Sequence, residues 1–123
     1  MEKKMKNKAN TKFIAAMLFT FSAAMLMPTQ ASAIDEDAAK DLAKENGCFK
    51  CHAIDKTKKA SSYQKIAAKY KGKPVAETEA KLMKHLTSGE KVKMEDGTEE
   101  DHKIIDTKDL KEQKNLVDWI LAQ

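Results

Sequence analysis

Cys48 and Cys51 are the only cysteines in the chain, and His52 directly follows the second. Two thiols at this spacing share one face of a helical turn. Both can add to the vinyl groups of a single porphyrin, and the adjoining imidazole then reaches its iron. Cys48-Phe49-Lys50-Cys51-His52 therefore has the spacing of a c-type haem attachment site: one covalent haem c, held by Cys48 and Cys51, with His52 as proximal iron ligand. Three other chemistries use the same residue types. A redox-active C-x-x-C sits in a strand-helix-strand setting, whereas Asp37 to Asn46 has helical periodicity and no strand pattern follows it. Structural zinc needs a second pair of ligands, and the remaining histidines, His85 and His102, lie seventeen residues apart. A Cys48–Cys51 disulfide would close too small a loop to stabilise much, and it would leave His52 without a role.

The elements that must position these residues are helical. Apolar residues recur at helical spacing through Asp37–Asn46, Tyr63–Tyr70, Glu77–Thr87 and Asp109–Ala122. Gly47 and Gly89 stand where two of these helices should stop, Pro74 precedes the third, and Asp106 or Thr107 is the expected cap of the last. Gly72-Lys73-Pro74 reads as a loop and Gly89 to Thr107 as a longer irregular one. Within the latter, Lys91 to Gly97 is expected to make a short extended excursion turning at Asp96-Gly97, with Val92 and Met94 facing one way.

Phe13 to Met27 is an uncharged run of 15 residues, preceded by five lysines and one acid and followed by Ala31-Ser32-Ala33. A run this short with a small-residue cleavage site reads as a signal peptide over residues 1–33, leaving a mature domain of residues 34–123 with no stable membrane insertion. The formal net charge of +4 belongs to that leader, because residues 34–123 hold 18 lysines and 18 acids. Nucleic-acid binding is not expected, since the basic footprint would have to lie on the mature domain. An asymmetry remains: residues 40–93 carry a net +8 and residues 94–123 a net −5. The chain contains no arginine, no Gly-rich phosphate loop and no nucleophile-base-acid set, so it is not expected to be an enzyme. The only aromatic residues after the leader are Phe49, Tyr63, Tyr70 and Trp119. A domain this small gains the core it lacks from a planar apolar cofactor.

Gly47 to Asp55, Tyr63 to Tyr70 and the closing Leu116-Val117-Asp118-Trp119-Ile120-Leu121 resemble the class I c-type cytochromes, small bacterial monohaem electron carriers. The resemblance covers essentially the whole mature chain. It implies an all-α fold of about four to five short helices wrapped around one covalently attached haem, with the first and last helices crossing so that Leu42 meets Leu116, Val117, Ile120 and Leu121. Relatives usually place a Met followed by two prolines opposite the proximal histidine, and this chain has no such motif. Met83, Met94, His85 and His102 are the available side chains after the leader. Met83 and His85 share a helix two residues apart and diverge. His85 falls near the position from which relatives reach the haem propionates, so a propionate contact is its expected role. His102 lies 17 residues before Trp119 and Met94 lies 25 before it. The shorter interval matches the ligand loop of the resemblance, which makes His102 the preferred distal ligand and Met94 the alternative, with an open sixth position as a third outcome. Relatives also carry Gly-Pro where this chain has Ala60-Ser61, and the Ser61 carbonyl takes the place of the proline carbonyl that orients the proximal imidazole.

The expected function is that of an exported, periplasmic cytochrome passing single electrons between a redox donor and acceptor. Lys50, Lys56, Lys58 and Lys59 flank the haem motif and would face a partner with an acidic docking surface. Two alternatives stay open: a haem sensor or small-ligand binder with a labile sixth position, and an electron-transfer subunit of a larger redox complex.

Overall fold

The computed structural model describes residues 32–123; the expected leader falls almost wholly outside the described residues. Helix α1 spans Glu36–Glu45, α2 Tyr63–Tyr70, α3 Val75–Ser88 and α4 Leu110–Leu121. A two-stranded antiparallel hairpin, β1 Lys91–Lys93 with β2 Glu99–Asp101, lies between α3 and α4. The expected all-helical fold is observed with this small addition, and the hairpin turns where Asp96-Gly97 was expected to turn it. Gly97 N donates to Met94 O at 3.0 Å, Met94 N to Thr98 O at 2.7 Å, and Thr98 N to Asp96 Oδ1 at 2.9 Å.

Side-chain caps set the helix starts. Asp35 accepts from Ala38 N at 3.0 Å and Ser62 from Lys65 N at 3.1 Å, each satisfying a first-turn amide that has no helical partner. The last helix corrects the sequence expectation: its cap is Asp109, accepting from Lys111 N at 2.8 Å, and not Asp106 or Thr107. Thr107 stands just outside, its hydroxyl accepting from Asp109 N and donating to Glu112. Gly89 ends α3 at φ 64°, a left-handed conformation that glycine adopts without penalty.

The core forms where α1 packs against α4, with α2 and α3 on the remaining sides of α4. Ala39 and Ala43, not Leu42, are the fully buried residues of α1. They sit four apart on one face, and their small side chains bring the α1 backbone close to Leu116, Val117 and Ile120. Leu42 is half-buried at the margin. Two side-chain amides fasten the ends of this crossing. Asn115 brackets Asp35, accepting from its N–H at 2.8 Å and donating to its carbonyl at 2.7 Å. Asn46 donates to Leu42 O and accepts from Asp106 N at 2.9 Å. Trp119 lies edge-on to both Tyr63 and Phe49 and is buried.

Candidate haem site

Gly47, at φ 70°, reverses the chain after α1 and starts a single 3-10 turn, Cys48–Lys50. Cys51 N and His52 N both donate to Cys48 O, at 3.2 and 3.0 Å, so the five motif residues form one tight turn. Cys48, Cys51 and His52 all line one cavity of about 140 Å³. Both thiols are free and half-buried. Burial pushes the Cys48 thiol above its ordinary pKa, which keeps it protonated and makes it a poor thiolate donor to a metal. Among the described residues no group of three or more His, Cys, Asp or Glu is placed to hold a metal ion.

His52 is oriented from two sides. Its Nδ1–H donates to Ser61 O at 2.6 Å, so the serine carbonyl performs the task expected of it in place of proline. A carbonyl only accepts, which fixes the proton on Nδ1 and leaves Nε2 with its lone pair. Tyr63 stacks on the ring at 5.2 Å with an 18° angle between planes. Tyr63, the first residue of α2 and two residues after Ser61, thus supports His52 as well as packing in the core.

Across the cavity the structure brings together His102, His85 and Met94. The His102 ring centre lies 6.3 Å from that of His52, with the planes at 54°. His102 Nδ1–H donates to Lys103 O at 2.8 Å, so this imidazole too keeps the lone pair on Nε2. Its backbone is held at the end of α3: His102 N donates to Glu90 O, just beyond the helix, and Ile105 N to Leu86 O within it, both at 3.0 Å. Burial, and then the nearby His85, push the His102 pKa down to about 4. The acids that precede it, Glu99, Glu100 and Asp101, are exposed on β2, while the ring turns inward. His85 lies 4.1 Å from His102, ring to ring, and burial lowers its pKa as well. Met94 is buried beside Val92 on the same wall, and Met83 packs against the core away from the cavity lining.

The donor set suits haem c. Two free thiols and one imidazole lone pair lie on one turn, a second imidazole lone pair faces them, and Leu82, Leu86, Leu116 and Ile120 supply apolar walls. The two ring centres lie 6.3 Å apart, close enough that both imidazoles would be available to hold the iron of one haem.

No protein-family model and no curated protein matches the chain. Among solved structures it is similar to the class 1 cytochrome MtoD from Sideroxydans lithotrophicus ES-1, at 59% identity and a TM-score of 0.68. The match covers 73% of this chain and 97% of that one. Identity at this level over nearly the whole of that protein, joined to the attachment turn and the paired imidazoles, makes the chain a member of the class I c-type cytochromes, carrying haem c.

Proposed function

We propose that the protein is an exported single-electron carrier whose haem is attached through Cys48 and Cys51 and whose axial ligands are His52 and His102. The observation that carries this reading is the pair of imidazoles 6.3 Å apart, each with Nδ1 tied to a backbone carbonyl and Nε2 free to bind. When bound, the haem supplies an iron that changes valence by one electron. The chain supplies the rest. Ser61 and Tyr63 fix the His52 ring, α3 and Lys103 fix His102, and the leucine walls exclude water. With both axial positions filled by protein there is no vacancy for substrate, which favours a carrier over an enzyme or a gas sensor.

His85 takes a packing role against the distal imidazole in this reading, in place of the propionate contact that its sequence position suggested. Met94 fills the wall beneath the hairpin. Two imidazole ligands set a lower potential than the His/Met pair usual among relatives. Among the described residues no helix is long and apolar enough to cross a membrane, which agrees with export followed by release from the leader. A near-infrared and visible spectrum of the oxidised holoprotein tests the assignment. A low-spin spectrum without the far-red sulfur band is expected; the presence of that band would transfer the ligand role to Met94.

A further inference from the structure

The β1–β2 hairpin does more than span the distance from α3 to His102. Its tip reaches the opposite side of the cavity. Glu95 N donates to Lys59 O at 3.1 Å, and Glu95 Oε1 accepts from Ser61 Oγ at 3.1 Å, with Lys65 Nζ 3.6 Å from the same oxygen. Ser61 is thereby shared. Its carbonyl takes the Nδ1 proton of His52, and its hydroxyl binds the hairpin. From Glu95 the chain turns, runs up β2 and enters His102 directly, whose N–H donates to Glu90 O just after α3.

These contacts make a closed circuit from His52 through Ser61 and Glu95 to the hairpin and His102. The Lys65 ion pair alone would carry little weight, because both partners are largely exposed. The Ser61 hydroxyl bond is different in kind. It has a charged acceptor, it is joined by a backbone bond from the same residue, and its donor belongs to the residue that orients the proximal imidazole. We propose that Glu95 is a positioning residue, clasping the hairpin tip to Ser61 so that the distal imidazole and the carbonyl partner of the proximal one share a single frame. The proposal rests on the assignment of His52 and His102 as the axial pair.

Carbon monoxide binding to the reduced holoprotein, together with the reduction potential, reads this clasp. Glu95→Ala frees the tip and should raise the rate at which carbon monoxide displaces the distal ligand by about tenfold, the change equivalent to one charge-assisted hydrogen bond. Glu95→Gln keeps an acceptor for the Ser61 hydroxyl but not its charge, and should fall between the parent and Glu95→Ala. Ser61→Ala should match Glu95→Ala, and the double variant should add nothing further, because both remove the same bond. A lower denaturation midpoint in Glu95→Ala with unchanged carbon monoxide kinetics and potential would show a merely structural contact and overturn the clasp. So would independent, additive effects of the two single variants. The parent spectrum separates the two levels. If the parent shows two-imidazole ligation and Glu95→Ala is silent, the clasp alone is wrong; if the parent shows sulfur ligation, the axial assignment fails and takes the clasp with it.

Discussion

His102 ends with Nε2 unprotonated because its ring is turned away from the acids that precede it and toward the cavity. Burial then outweighs their attraction and holds the pKa at about 4. The sign of the pH dependence follows. Between about pH 6.5 and 4 the unfolded chain takes up a proton that the folded one refuses, so stability falls with acidification across that window, while the folded imidazole stays neutral. The denaturation midpoint should fall across that window, and one that stays flat from pH 6.5 to 4 would contradict the burial of this ring. Replacing His102 with Ala should open the sixth position, seen as rapid carbon monoxide binding and loss of the low-spin spectrum. Replacing it with Met should raise the potential and bring in the far-red band. The turn that brings Cys48, Cys51 and His52 together was legible from sequence because it is local, whereas the place of His102 on the cavity wall was suggested only by counting back from Trp119. The contacts of His85 and Glu95 were not legible, because each is made with distant chain: His85 with the returning residue 102, Glu95 with residues 59 and 61.

At the scale of elements, the end of α3 carries the most consequence. A Cβ on Gly89 would stand 3.0 Å from Ile104 Cδ1 and 3.7 Å from His102 O, at a φ of +64°. Gly89→Ala should therefore lower stability by about 1–2 kcal/mol by chemical denaturation, combining left-handed strain with a crowded distal segment. The α1–α4 crossing offers a second check. Ala43 is fully buried against α4, and Ala43→Leu should cost about 1–3 kcal/mol through overpacking, whereas Leu42→Ala should cost less than a fully buried leucine would. The helices themselves were readable from their apolar period and their glycine stops. The crossing was legible too, with Leu42 packed against the core, but periodicity marks the apolar stripe without saying that its smallest members, Ala39 and Ala43, are the ones fully buried. The cap of α4 was misread because Asp106, Thr107 and Asp109 all have capping chemistry, and only the path of the chain selects Asp109.

For the molecule as a whole, charge is arranged rather than accumulated. Lys50, Lys56, Lys58 and Lys59 are exposed beside the attachment turn, while Glu99, Glu100 and Asp101 are exposed on the hairpin across the cavity. Electron transfer to an acidic partner should slow steeply as ionic strength rises, and a flat salt dependence would remove the lysines from docking. Lys58 should matter less than Lys56, because its Nζ already donates to Phe49 O at 2.6 Å. The position of α4 carries a further consequence, one of order in time. Leu116 and Ile120 belong to the final helix, yet they wall the space that the sulfurs of Cys48 and Cys51 also face. That wall is completed some seventy residues beyond the thiols, so a porphyrin joined to Cys48 and Cys51 before folding would be the surface on which α4 then docks.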